Sequence, residues 1–189
     1  MIFARLLLFL SLIAATTAGC VSLVTLDEAT EGQPRGPSAP RILLPVPYVA
    51  QGFFTHDCGP AVAAMLLRYY RREGDREKIA GEIRRPDGTY ATDLVRFLSG
   101  QGLTVSFQEE GTLEEIRRQL HLGNPSVVIQ STFTWPEGWP HYRVVIGYGP
   151  GYWVVHDSRF GAERCMREDD FLEAWQEPRT LLVVAGPAE

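Results

Sequence analysis

Residues Gln51 to Tyr70 read QGFFTHDCGPAVAAMLLRYY, and the rest of the chain is organised around them. Proline is tolerated in the first helical turn, where its missing N–H had no intrahelical partner, so Pro60 marks a helix start and leaves Cys58 just before it. The residues that follow, Ala61 to Leu67, are apolar on almost every side, so this helix must be buried. A thiol at that end lies in the positive field of the helix dipole, which favours thiolate, the nucleophilic form of cysteine. The plain alternative is a buried structural cysteine, since free cysteines commonly behave as small core residues. Partners elsewhere in the chain have to decide between the two.

Outward from this stretch, Arg41 to Val49 (RILLPVPYV) is extended, because Pro45 and Pro47 forbid a helix and confine it to an edge or a lead-in that delivers Gln51. On the other side, Asp75 caps a short helix through about Ile83. Thr89 or Thr92 caps another that carries Leu94, Val95, Phe97 and Leu98 and ends at Gly100. Leu103 to Phe107 alternates as a strand, and Thr112 with Glu115 forms a capping box for a helix over Leu113 to His121. Strands are expected at Ser126–Gln130, His141–Tyr148, Tyr152–His156, about Ala162–Met166 and Thr180–Ala185, with a short helix over Glu168–Trp175. Helices first and strands second argue for an α+β domain, its N-terminal helical part packed on a C-terminal antiparallel sheet.

A three-residue turn at Gly149-Pro150-Gly151 pairs Tyr148 with Tyr152 and, with no bulge, Arg143 with Asp157. Alternation then puts His141 and Arg143 on one face with Asp157, one diagonal step from His141 at about 7–8 Å between Cβ atoms, while His156 points to the other face. An imidazole beside a carboxylate is what a helix-start thiol lacks. In these roles His141 takes the Cys58 proton and later gives it to the leaving group, and Asp157 fixes the imidazole tautomer. Asp57 reads as the N-terminal cap of the cysteine helix. His56 and His121 read as exposed, and Trp135 and Trp139 either wall a cleft or tuck into the sheet. Asp157 as a turn former before Ser158, and Gln51 as a surface glutamine, are the plain readings of those two residues. No metal site is expected, because His56, Cys58, His141 and Asp157 include no ligand pair at the usual close spacing.

The ends and the composition set the context. The chain has 189 residues, 45% hydrophobic and 22% charged, an ordinary composition and length for one globular domain. Residues 1–19 read as a secretory signal: Arg5, an apolar run from Leu6 to Ala15 too short to span a bilayer, then small residues. Ala18-Gly19-Cys20 resembles the lipobox of bacterial lipoproteins, which makes Cys20 the lipidated first residue of the mature chain. Thr17 stands where leucine is usual, which leaves an ordinary export signal as the alternative. Val21, rather than aspartate, after the cysteine implies the outer membrane. Residues 20–40, rich in Gly, Pro, Thr, Ser and Glu, read as a tether, and 41–189 as the domain. Loss of the signal removes Arg5 and no acidic residue, taking the net charge from −5 to −6. With no basic run or aromatic-basic stripe, no nucleic-acid partner is expected. Of three cysteines, Cys58 and Cys165 remain, and in an oxidising compartment pairing is the default expectation. Otherwise Cys165 is a core thiol on a strand.

The segments VPYVAQ, DCGPAVAAMLLRYY, GTYATDLVRFLSGQGL, GTLEEIRRQLHLGNPSVVI, HYRVVIGY, VVHDS and FLEAW, over roughly residues 44 to 185, together resemble the bacteriocin-processing, or double-glycine, peptidases. These are the papain-like cysteine peptidase family thirty-nine, and the resemblance is to the branch that stands apart from ABC exporters. It implies a papain-like fold and peptide cleavage through a thioester acyl-enzyme without cofactor or metal. It also implies Cys58, His141 and Asp157 as catalytic triad, and Gln51 as oxyanion donor with the Cys58 backbone N–H. A peptide or protein is the implied substrate, and the family's preference for paired glycines implies a narrow cleft. Two rivals stand beside it: a papain-clan cell-wall endopeptidase or amidase, where Asp-Cys-Ser-Gly is usual and Gly59-Pro60 departs from it, and a non-catalytic peptide-binding module on the same fold.

Overall fold

A computed structural model describes residues 24–25, 40–52, 56–132, 139–175 and 178–186. The signal segment and the lipobox with Cys20 lie outside these residues, as do most of the stretch read as a tether and Trp135. The elements run β1 (Val24–Thr25), β2 (Ile42–Leu43), α1 (Cys58–Tyr69), α2 (Arg76–Ile83), α3 (Ala91–Gly100), β3 (Thr104–Gln108), α4 (Leu113–His121), β4 (Ser126–Thr132), β5 (Trp139–Gly149), β6 (Tyr152–Asp157), β7 (Gly161–Arg167), α5 (Glu168–Ala174) and β8 (Leu181–Ala185). Helices lead and strands follow, so the domain is α+β. The strands form one antiparallel sheet in the order β1-β7-β6-β5-β4-β8-β3, and β2 takes over the β4 flank of β5 beyond Val145. β1 is a departure from the sequence reading, since Val24 and Thr25 lie inside the proposed tether and pair with Cys165 and Arg164 of β7.

Both faces of the sheet are covered, and side-chain alternation decides which residues go where. One face, with Val127, Val144, Ile146, Val154, Leu182 and Val184, packs against α1 and the apolar sides of α2 and α3. The other, with Val128, Val145, Trp153, Val155, Met166 and Leu181, packs against α4 and α5 through Ile116, Leu120, Phe171 and Trp175. The helix α4, though it precedes the central strands like the other helices of the helical part, sits across the sheet from α1 to α3. Cys58 through Leu67 are all buried, as the apolar circumference of α1 requires. Burial of Met65, Leu66 and Leu67 contributes about 1.5–3 kcal/mol each. That anchors the thiol end of the helix to the sheet.

Local signals place several boundaries. The Asp75 carboxylate accepts from the N–H groups of Glu77 and Lys78 and starts α2. The Thr112 hydroxyl oxygen accepts from the Glu115 N–H, while the Glu115 carboxylate turns to Arg118 and Gln119 rather than closing the capping box. The start of α3 differs from expectation: Tyr90 is its cap residue and makes no side-chain capping bond, so neither Thr89 nor Thr92 caps it. Asp57 is also no side-chain cap. Fully buried, it bonds Arg84 Nε and Nη2 at 2.5 and 2.7 Å and Arg76 Nη1 at 3.3 Å, fastening α2 to the start of α1. Guanidinium forks outbid the helix N–H groups here because a buried carboxylate needs a counter-charge as well as donors.

The β5–β6 hairpin reaches the expected partners by another route. Gly149 pairs with Tyr152, so the turn holds two residues, Pro150 and Gly151, not three. Pro150 supplies its fixed φ and Gly151 takes φ +80°, a combination suited to a type II turn. An extra residue in β5, Ile146, then bulges between Val145 and Gly147 and restores the pairing of Arg143 with Asp157. Two departures cancel, and the site residues meet as the uninterrupted register predicts.

Candidate active site

The site is assembled where the start of α1 meets the middle of the sheet. Cys58 hydrogen-bonds His141 of β5, whose Nε2 contacts Asp157 Oδ1 of β6 at 2.8 Å, which leaves Nδ1 as the ring nitrogen toward sulfur. The alternation of β5 and its register with β6 bring ring and carboxylate together, and the packing of α1 brings the thiol. Burial by itself raises the Cys58 thiol, but the hydrogen bond and charge of His141, with the backbone N–H groups of Tyr142 and Gly59, outweigh it and lower its pKa. Burial by itself lowers His141, but its bonds to Asp157 and Cys58 lift it to about 9. Both shifts run toward the thiolate–imidazolium pair.

Asp157 is held from every side. Its Oδ1 accepts from His141 and from the backbone N–H groups of Arg159 and Phe160 at 2.9 and 3.0 Å, and its Oδ2 accepts from Arg143 Nε at 2.7 Å. Burial pushes its pKa up, yet the His141 bond and the charges of His141 and Arg143 hold the carboxyl well below the usual range. Arg143 continues inward: its Nη1 donates to Gln130 Oε1 at 2.9 Å, and Gln130 Nε2 donates to the carbonyl of Phe171 in α5 at 2.9 Å. Sequence reading used Arg143 only to set the register and passed over Gln130. The available signal was a charged residue two positions after His141 in an otherwise apolar strand.

Gln51 is placed by the lead-in, which is stitched to β5 and β6. The Leu44 N–H donates to the Ile146 carbonyl at 2.7 Å, and His156 Nε2 to the Val46 carbonyl at 2.8 Å. Tyr48 Oη bonds the carbonyls of Asp157 and Ser158, and the Gln51 N–H donates to the Ser158 carbonyl at 2.9 Å. The Ser158 hydroxyl then donates to Gln51 Oε1 at 2.9 Å, which fixes which end of the amide is the donor. In the sequence Ser158 stood only as the residue after a possible turn former, Asp157. Its hydroxyl acts on a residue far away in sequence.

Gln51, Cys58 and His141 line a cleft of about 650 Å³ together with His56, Thr89, Tyr90, Ile129, Trp139, Pro140 and Arg159. Trp139 is 51% exposed and Tyr90 55% exposed, so Trp139 belongs to the cleft wall and not to the sheet interior. His56 is exposed and meets the Trp139 ring edge-on. Gly59 is required by a close approach, since a Cβ there would stand 2.5 Å from Thr89 Cβ. A second groove, of about 580 Å³, is lined by Pro45, Pro47, Tyr70 and Leu122 among others and by no cysteine, histidine or carboxylate. Among the described residues no three His, Cys, Asp or Glu side chains are grouped to hold a metal ion.

Cys165 is free, as is Cys58. It pairs with Val154, which pairs with Gly147 of β5, whereas Cys58 sits by His141, six residues back along that strand. At roughly 3.3 Å per residue the two thiols lie on the order of 20 Å apart, and a disulfide needs Cα atoms within about 7 Å. The fold separates the pair that cysteine counting joins.

The model of the Peptidase C39 family matches residues 46–188. Among solved structures, a protein described as a C39-like peptidase from Bacillus anthracis superposes with a TM-score of 0.66 at 18% identity, covering 78% of this chain and 98% of that one. A double glycine motif protease from an AMS/PCAT transporter, solved with its leader peptide, gives a TM-score of 0.61 at 20% identity over 79% of this chain and 97% of its own. The peptidase domain of Streptococcus ComA, a bi-functional ABC transporter, gives 0.61 at 20% identity over 75% and 98%. These likenesses establish the fold. No curated protein matches by sequence.

Proposed function

Because the chain belongs to the Peptidase C39 family and is a cysteine-type peptidase, we propose that Cys58 is its nucleophile, His141 its general base and acid, Asp157 the orienting carboxylate and Gln51 an oxyanion donor. The supporting observation is the continuous hydrogen-bonded line from Cys58 through His141 to Asp157 on the wall of a cleft that Gln51 also lines. The thiolate adds to the scissile carbonyl carbon. The Gln51 amide and the Cys58 N–H, one of the helix donors without an intrahelical partner, receive the negative oxygen. As the C–N bond breaks, the His141 imidazolium gives its proton to the departing amine, leaving a thioester on Cys58. Neutral His141 then takes a proton from water, whose oxygen attacks the thioester, and hydrolysis returns the thiolate and imidazolium pair. Asp157 stays ionised throughout, because its four donors leave it no need of a proton.

The substrate is a peptide or protein, and the finer reading is a double-glycine-type peptide processed at the cell envelope by an exported chain anchored through lipidated Cys20. The family's preference for paired glycines supports small residues at the cut. The test is to incubate the exported protein and its Cys58→Ala variant with a fluorogenic double-glycine peptide, a matched peptide with bulkier residues, and muropeptides. Cleavage of the first by the parent and not by the variant is expected. Digestion of muropeptides alone would assign the chain to cell-wall hydrolysis instead. Retention of cleavage in Cys58→Ala would remove Cys58 from the mechanism.

A further inference from the structure

The active-site line does not end at Asp157. We propose that Arg143 is a positioning residue of the reaction: it supplies the second buried cation that lets a carboxylate and a thiolate flank one imidazole, and Gln130 holds it in place. This rests on the catalytic reading of Cys58, His141 and Asp157. The groups facing Asp157 are His141 and Arg143 from β5, Tyr48 from the lead-in, Cys58 of α1 beyond the ring, and Arg159 of its own turn, through its backbone N–H. Counted as charges, the buried set holds two anions, Asp157 and thiolate Cys58, and with imidazolium His141 alone it would carry a net negative charge. Arg143, 3% exposed, brings it to neutrality. A buried site with an unbalanced anion takes up a proton instead, because desolvation penalises the charged form. A proton on the thiolate would quench the nucleophile, and a proton on Asp157 would take from the imidazolium the carboxylate that holds and stabilises it.

The geometry assigns Arg143 a steric part as well. Asp157 Oδ2 accepts from Arg143 Nε, so the carboxylate cannot rotate Oδ1 away from His141 without breaking that bond. The guanidinium cannot swing either, since Nη1 is bound to Gln130 and Gln130 to the Phe171 carbonyl. A lysine would keep the charge but not the fork, and a glutamine would keep a donor but not the charge.

Arg143→Lys and Arg143→Gln therefore separate the two parts, read by the pH dependence of Cys58 alkylation with iodoacetamide, which needs no substrate, in a Cys165→Ala background. In Arg143→Gln the alkylation midpoint moves up by at least about one pH unit, a tenfold loss of thiolate below it. In Arg143→Lys the midpoint stays within about 0.3 units by the same scale, while kcat on the double-glycine peptide falls about tenfold to a hundredfold at little-changed KM, the usual cost of a displaced supporting group. A merely structural arginine would lower the melting temperature and leave the alkylation midpoint where it was. If Arg143→Gln does not fold, the kcat and KM of Arg143→Lys decide, and parental kcat in that variant overturns the proposal. Cleavage by Cys58→Ala would mean that the catalytic reading itself fails. An inactive Cys58→Ala combined with an unshifted, fully active Arg143→Gln would sink this inference alone.

Discussion

The two described cysteines share one hydrophobic cluster and are both buried, yet their thiol pKa values move in opposite directions. Burial raises Cys165 to about 11, and the nearby Arg164 charge does not undo it. Burial raises Cys58 too, but His141 and the N–H groups of Tyr142 and Gly59 reverse the sign. Burial alone therefore makes a thiol inert. What activates it, beyond the local Gly59 N–H, is a cation and a Tyr142 N–H that arrive from β5, which no local sequence around a cysteine supplies.

The contrast is broken most severely by exchanging the roles of the two sulfurs. Cys58→Ala should reduce peptide cleavage to background, whereas Cys165→Ala should retain it within about twofold, as expected for a core site away from the reaction. Mass mapping after iodoacetamide treatment of the folded protein near pH 7 should find label on Cys58 only. Preferential labelling of Cys165 would reverse the assignment.

Next in size is the loss of the oxyanion donor, which sharpens the contrast by sparing sulfur activation. Gln51→Ala should lower kcat by about 10²–10³-fold, the usual cost of one such donor, with the alkylation rate of Cys58 unchanged. Ser158→Ala should cost less, about tenfold, because the backbone bond from Gln51 N–H to the Ser158 carbonyl remains. Equal losses for both, or slower alkylation in either, would show that Gln51 acts on the nucleophile instead.

The smallest effect comes from pH. Activity requires thiolate with imidazolium, so kcat/KM should be level through neutrality and fall with a basic limb near 9, where His141 loses its proton. Stability follows the same group. The folded pKa of His141 lies above its ordinary 6.5, so its contribution is complete below about pH 6.5 and is lost as pH rises through 9. The Asp157 contribution has the opposite sign, present above about pH 4 and lost in stronger acid. A rate profile with a basic limb near 6.5 would mean that His141 is not held as imidazolium by its neighbours.

Much of this could be read in advance. The run from Cys58 to Leu67 demanded a buried helix beginning at a thiol, and the alternation of HYRVVIGY and YWVVH demanded paired strands with His141, Arg143 and Asp157 on one face. The register came out right because a shorter turn and a bulge at Ile146 offset each other. Neither is encoded locally. The bulge lies next to Gly147, where β2 approaches so closely that a Cβ would stand 2.4 Å from the Ile42 carbonyl oxygen. Asp57 was misread for a related reason: an aspartate before a helix is a cap by local rules, and only the folding back of α2 brings Arg76 and Arg84 to it.

By itself the sequence determined the periodicities, the helix start at Cys58 and the order of the residues that meet in the cleft, because each is a property of neighbours a few positions apart. The tertiary structure decided the rest. It set the roughly 20 Å between Cys58 and Cys165, the Ser158 hydroxyl on Gln51, and the Arg143 guanidinium that balances Asp157. Those depend on which distant segments share a buried volume, and in such a volume every charge and every polar atom must find its partner across the fold.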